Sequence, residues 1–195
     1  TGSWPFILPF HKPEYKGIKL CKTYKQALQL IEDAKSSQVK DVVILGAGYI
    51  GIELTEAYAH CADKKNVTLI DMENRIIPRY FDTEFTSQME AHLLRDGVQM
   101  LMNSKVTGIQ VDADNNVTGL DVLNVQTNES KSVKADLVIS CVGFAPSTKL
   151  LLETLPDLGT SRNKAIHVNK HAQALDAHGN VVPDLYVIGD SAAPY

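Results

Sequence analysis

A doubly wound α/β fold, in which a parallel sheet carries an antiparallel three-stranded meander, is what this sequence of 195 residues predicts. Three observations lead there. From Lys40 to Met102, β-branched apolar runs alternate with stretches of helical period. That order of strand, helix, strand, helix, strand belongs to parallel sheets with crossover helices. From Lys105 to Asp136 the period falls to two and turn residues break it twice, the pattern of strands linked by hairpins. Between the first strand and its helix, Gly46, Gly48 and Gly51 stand in a G-x-G-x-x-G frame.

The elements follow in order. The opening residues, rich in Pro, Gly and aromatic side chains, read as an irregular, partly packed connector. "KTYKQALQLIEDAKSS" reads as a surface helix capped by Thr23, with Tyr24, Leu28, Ile31 and Ala34 inward and Ser36 and Ser37 at its end. "VVILG" is a continuous apolar run, as a strand buried on both faces requires. Tyr49 to Cys61 is helical in pattern, with Ile50, Leu54, Ala57 and Tyr58 as its inward positions. "NVTLID" is the next strand, ending at Asp71. "DTEFTSQMEAHLLRDGV" is a second amphipathic helix, capped by Asp82 or Thr83 and stopped by Gly97. "VQMLM" is a third strand. The meander turns at Asp114-Asn115-Asn116 and at Thr127-Asn128-Glu129. "ADLVISCVGFAPS" returns to a buried strand, "TKLLLETL" is a short helix, and "PDLYVIGDSA" is a last apolar strand ending in Gly189-Asp190.

Composition narrows the function. A net charge of −4 gives no basic patch, so nucleic acid is not expected as a partner. No apolar run approaches the roughly 18 residues that a membrane span needs. The opening "TGSWPFILPF" has neither a Met nor a basic, apolar leader. Together with the ending "YVIGDSAAPY" it leads us to expect a segment from within a longer cytoplasmic chain. Cys21, Cys61 and Cys141 form no C-x-x-C and no metal-ligand spacing. An odd, scattered set suits a reducing compartment. Three N-x-[ST] matches, at Asn66, Asn116 and Asn128, carry no weight without a secretory signal.

The glycine loop has the context that a dinucleotide fingerprint needs, because it follows a buried strand and opens a helix. Gly46 permits the tight turn, Gly48 admits a pyrophosphate to the backbone, and Gly51 lets helix and strand approach. The helix N-terminus offers free N–H groups and partial positive charge to phosphate. Asp71 stands about twenty residues beyond the loop, where an acid accepts hydrogen bonds from the adenosine ribose. A carboxylate there repels a 2′-phosphate, which favours NADH over NADPH, while Arg75 and Arg79 lie near enough in sequence to oppose that preference. Tyr80 follows the second strand and is a candidate to line the nucleotide cleft.

Other residues are read as structural. Cys61, near a helix end, and Cys141, in a buried strand, are expected to be inert packing residues. His167 and His171 fall on strand and loop rather than on one helical face, and His11 and His60 stand alone. Asp112 and Asp114 belong to a turn signal, and Lys64-Lys65 reads as a solvated pair. No catalytic or metal-binding residue is assigned.

"TGSWP", "VVILGAGYIGIE", "VTLID", "ADLVISCVGFAPST" and "DLYVIGD" appear in this order across essentially the whole chain. The series resembles the pyridine nucleotide-disulfide oxidoreductases, most closely the NADH oxidase, NADH peroxidase and coenzyme A-disulfide reductase branch. The resemblance implies an FAD/NAD(P)-binding type of Rossmann-like fold. It makes 23–155 the NAD-binding domain, 1–22 a connector from the FAD domain and 156–195 a segment returning toward it. It implies NAD(H) contacts at Gly46, Gly48, Tyr49, Ile50, Gly51, Asp71 and Gly143, with Tyr49 moving as nicotinamide enters. Glu53 resembles a family glutamate facing the nicotinamide–flavin region. "TGS" resembles the Thr-Gly segment on the FAD adenosine side, and Asp190 resembles the acid that binds the flavin ribityl chain. The family's FAD fingerprint, redox cysteine and dimerisation domain have no counterpart in this sequence. The parent implied is a homo-oligomeric, FAD-dependent NADH oxidoreductase. A dinucleotide-binding sensor without catalysis is the alternative.

Overall fold

The computed structural model describes residues 2–194. In chain order, β1 (Ser3–Pro5) and β2 (Ile18–Leu20) precede α1 (Tyr24–Lys35). Next come β3 (Asp41–Leu45), α2 (Tyr49–Ala59), β4 (Asn66–Ile70), α3 (Thr83–Arg95) and β5 (Gln99–Leu101). The meander is β6 (Ser104–Val111), β7 (Val117–Asn124) and β8 (Ser130–Lys134). After it run β9 (Leu137–Ser140), β10 (Phe144–Pro146) and α4 (Lys149–Thr154). The chain closes with β11 (Ile166–Val168), β12 (Gln173–Leu175), β13 (Val181–Tyr186) and β14 (Ala192–Pro194).

These elements form two compact units. One is residues 7–143; the other takes in residues up to Phe6 and from Phe144 onward. Both boundaries differ from the expected 1–22, 23–155 and 156–195. Residues 7–22 stay with the larger unit because β2 pairs in parallel with β9, Ile18 opposite Val138. Residues 144–155 leave it because β10 pairs antiparallel with β1.

The larger unit is built on a parallel sheet of order β2-β9-β3-β4-β5. Alternate residues of a strand point to opposite faces, and β3 therefore divides its side chains between two cores. Val42 and Ile44 pack with Leu30, Ile52, Tyr58 and Leu93 under the helices. Val43 and Leu45 pack with Val117, Leu120, Val122 and Val133 under the meander. Burying one such aliphatic side chain contributes about 1.5–3 kcal/mol. The sheet is thus covered by helices on one face and by the meander on the other, where a doubly wound pattern has helices on both.

Two helices present other faces than their apolar spacing predicts. In α1 the cap is as read: Thr23 accepts from the Gln26 N–H, and the Gln26 side chain returns the bond to the Thr23 N–H. Leu30 is the buried residue of that helix, whereas Tyr24, Leu28 and Ile31 are exposed. The Tyr58 hydroxyl donates to the Leu30 carbonyl at 2.8 Å, which fixes the side of α1 that faces α2. In α2, Gly51, Ile52, Thr55 and Tyr58 are buried, Ile50 is half-buried and Ala57 is exposed. Gly51 sets this rotation, because it must sit against the loop that precedes the helix.

Lys65 is buried rather than solvated. Its ammonium donates to the Ser36 carbonyl at 2.7 Å and to the Asp63 carboxylate at 2.9 Å, so the charge is met at the C-terminal end of α1. In the smaller unit the sheet order is β13-β12-β11-β14, over a core of Leu158, Ile166, Val168, Ala174 and Val187. Strand β13 is mostly exposed, because it pairs at the sheet edge with β12.

Two hairpin turns carry the same carboxylate motif. Asp112 accepts from the Asp114 and Asn116 N–H groups and from the Asn116 amide. Asp176 accepts likewise from His178 and Asn180. Hydrogen bonds from Asn116 and Asn180, respectively, hold these carboxyls below the usual aspartate range. A depressed folded value means that the unfolded chain binds more protons, so this support is complete above roughly pH 4 and is lost as pH falls through the depressed values. Urea midpoints measured from pH 7 down to pH 2 should stay level at first and then fall. The fall should be shallower in the Asp112→Asn, Asp176→Asn double variant.

Candidate functional site

The loop between β3 and α2 leaves no space for side chains at two of its glycines. Gly46 has φ +99°, and a Cβ on it would lie 2.6 Å from the Cys141 carbonyl oxygen. A Cβ on Gly51 would lie 1.8 Å from the Gly46 carbonyl oxygen. Gly48 is the contrary case, with no atom within 4 Å of its would-be Cβ. It is the N-cap of α2 and supplies no side-chain cap, so the first-turn N–H groups of the helix face an open approach. Space before Gly48, closure at Gly46 and Gly51, and a helix N-terminus between them fit a pyrophosphate.

Asp71 is tied into this loop. Its carboxylate accepts from the Ala47 N–H and, through the other oxygen, from the Glu73 N–H at 2.8 Å. The Gly46 N–H donates to the Ile70 carbonyl at 2.8 Å, so β4 holds the loop at two successive residues. Each carboxylate oxygen keeps a lone pair for a further donor, as ribose hydroxyls require. The two arginines have partners other than Asp71. Arg75 donates to the carbonyls of Phe81 and Pro78, at 2.7 and 3.0 Å, and to the Thr86 hydroxyl at 3.1 Å. Arg79 is exposed, 3.9 Å from Glu73.

Tyr49, the first residue of α2, meets Tyr80 with ring centroids 4.6 Å apart, and Phe81 stands edge-on to it at 6.3 Å. All three rings are exposed. Glu53 is exposed one turn along α2, and Ile50 is half-buried. Gly143 lies just after β9, exposed, with φ +105°. Asp190 belongs to the other unit, in a 3-10 turn over Gly189–Ser191, where it accepts from the Ser3 hydroxyl at 2.6 Å. Of the "TGS" segment, Thr1 lies outside the described residues.

Sequence reading missed Ala47 and Ile77, and weighed Arg75 only as a charge near Asp71. Ile77 is buried with φ +37°, a conformation that costs a β-branched residue on the order of 1–3 kcal/mol. Its N–H donates to the Ala47 carbonyl at 3.0 Å. Pro78, next in sequence, was the available signal for an irregular turn.

Burial, with the Cys21 thiol a smaller contribution, pushes Cys141 up to about 12, which leaves almost no thiolate at neutral pH. Cys61 donates to the Tyr58 and Asp63 carbonyls. His60 does not stand alone: it lies 3.2 Å from Asp96, which His92 also approaches, at 3.4 Å. Among the described residues no group of three or more His, Cys, Asp or Glu is placed to hold a metal ion.

Known proteins match nearly the whole chain. The family model described as pyridine nucleotide-disulphide oxidoreductase matches residues 1–194. An NADH oxidase of Enterococcus faecalis is 39% identical over 192 residues, which cover 98% of this chain and 39% of that protein. An NADH oxidase of Mycoplasma pneumoniae is 41% identical, over 100% of this chain and 42% of its own. The solved water-forming NADH oxidase from Lactobacillus brevis, bound to NADH, superposes with a TM-score of 0.77 at 35% identity, covering 98% of this chain and 38% of that one. The chain therefore spans about two fifths of the length of these relatives.

The glycines should separate under substitution. Gly51→Ala forces α2 off the loop and should cost about 3 kcal/mol or more in urea denaturation. Gly48→Ala, at φ −79° with open space before it, should stay within about 0.5 kcal/mol of the parent.

Proposed function

Because the chain belongs to the pyridine nucleotide-disulphide oxidoreductase family, we propose that it is the NAD(H)-holding part of a cytoplasmic, homo-oligomeric, FAD-dependent NADH oxidase-like flavoprotein. One observation carries this reading: the Asp71 carboxylate is bonded to the glycine loop itself, through the Ala47 N–H. The ribose acceptor and the phosphate cradle are then a single rigid unit rather than two features that share a sequence.

In this reading the first-turn N–H groups of α2 receive the pyrophosphate, with Gly48 giving them access. Asp71 accepts from the adenosine ribose hydroxyls and disfavours a 2′-phosphate by charge. Tyr49, Ile50 and Tyr80 bound the cleft, Gly143 leaves its far wall open, and Glu53 faces the nicotinamide region. Asp190 serves the flavin ribityl chain in the parent. The bound nicotinamide supplies hydride, which the parent's FAD takes up and passes on as electrons to oxygen, peroxide or a disulfide. The residues of this chain bind and orient the coenzyme and have no group placed for the later steps.

Calorimetric titration tests the reading. NADH should bind the purified chain more tightly than NADPH, and Asp71→Ala should weaken NADH by roughly tenfold, the scale of one charge-assisted hydrogen bond, while narrowing the difference between the two coenzymes. Gly48→Ala should fold normally yet bind poorly. NADH should not be consumed in any of these samples. Equal affinity of the unsubstituted purified chain for NADH and NADPH, or sustained NADH oxidation by that chain alone, would contradict the reading.

A further inference from the structure

Arg75 contacts none of the glycine-loop groups. It nonetheless sits at the root of the segment that meets the loop from the β4 side. Its guanidinium holds three groups of the following turn: the Pro78 carbonyl at 3.0 Å, the Phe81 carbonyl at 2.7 Å and the Thr86 hydroxyl at 3.1 Å. Thr86 is fully buried in α3. One planar group thus anchors both ends of the Pro78–Phe81 turn to the first turns of a helix, a task for which a rigid fork of donors is suited and an ammonium is not.

The same turn is fixed from two further sides. The Ile76 N–H donates to the Glu90 carboxylate at 3.0 Å. Ile77, held at φ +37°, donates to the Ala47 carbonyl, and its own carbonyl accepts from the Tyr80 and Phe81 N–H groups at 3.1 and 3.3 Å. A strained, buried, β-branched residue persists only where its surroundings over-determine it. Here the surroundings are Arg75, Glu90 and the glycine loop. What this investment sets is the position of Tyr80 against Tyr49, at the mouth of α2.

We infer that Arg75 is a positioning residue for the coenzyme, acting through the Tyr80–Tyr49 ring pair: it fixes the aromatic wall of the cleft and does not itself meet the nucleotide. The inference rests on the dinucleotide reading given above. It also gives that reading a specificity element, since the arginine nearest Asp71 in sequence is directed into the turn, where three of its five N–H groups are bonded, and pairing with a 2′-phosphate would have to draw it out. Coenzyme preference for NADH then comes from two residues, the acid that repels the phosphate and the arginine withheld from it.

The test uses the whole chain, with Arg75→Lys and Arg75→Met, each also combined with Tyr80→Ala. The contact between the two tyrosine rings is followed by nuclear Overhauser effects in the free protein, and NADH affinity by calorimetry. Arg75→Lys and Arg75→Met should both lose the ring contact while the amide signals of β3 and β4 stay in place. Both should weaken NADH roughly three- to tenfold, the range that one displaced aromatic contact accounts for. In the Tyr80→Ala background the same substitutions should change NADH affinity little, because the group they position is gone. An Arg75 variant that keeps the ring contact, or that weakens NADH equally with and without Tyr80, overturns the inference and leaves the dinucleotide reading intact. Failure of the unsubstituted chain to bind NADH at all overturns both.

Discussion

The approach of Gly51 to the Gly46 carbonyl is the constraint on which the rest of this structure depends. No methyl group fits there, since a Cβ would stand 1.8 Å from the carbonyl oxygen. Helix α2 can therefore dock only with Gly51 inward, and its rotation follows: Ile52, Thr55 and Tyr58 are carried to the buried side. Tyr58 then reaches the Leu30 carbonyl and orients α1 in turn. The same docking brings the helix N-terminus to the end of β3 with Gly48 facing open space. A packing requirement and the open approach to the helix N-terminus are thus two consequences of one close contact.

This explains which features could be read from sequence and which could not. The strands were legible because β3 and β4 are buried on both faces and so are rich in β-branched and aliphatic residues. The meander was legible because Leu120 and Val122 of β7 are buried on either side of exposed Asp121, with Val117 joining the same core across a shift in the register. The caps of α1 and α3 were legible because Thr23 and Asp82 are local signals. Helix faces were not, because the rotation of α2 is decided by a glycine contact that hydrophobic spacing does not register. Lys65 looked like a solvated residue because its buried partner, the Ser36 carbonyl, lies 29 positions away. The strand β2 was missed because three residues of an edge strand carry too little pattern to stand out from a loop.

The candidate site divides in the same way. The local geometry of Gly46, Gly51 and Asp71 was legible because no side chain fits at the two glycines and Asp71 ends a buried strand beside the loop. Arg75 was visible in the sequence only as a charge near Asp71, because its partners, the Pro78 and Phe81 carbonyls and the Thr86 hydroxyl, are not. The aromatic wall was half-visible: Tyr49 and Tyr80 were both named, but nothing in their spacing brings them 4.6 Å apart. That contact comes from the turn between them and the loop, through Ile77 and Ala47.

Backbone amide shifts of the chain, followed by two-dimensional nitrogen–proton NMR as NADH is added, test most directly whether the close-packed glycine loop is a coenzyme cradle. The largest changes should fall on Gly48, Tyr49, Ile50 and Gly51, with Ala47 and Asp71 following because their hydrogen bond joins loop to strand. Shifts confined to other parts of the chain, or none at saturating NADH, would show that the loop serves packing alone and would contradict the coenzyme assignment.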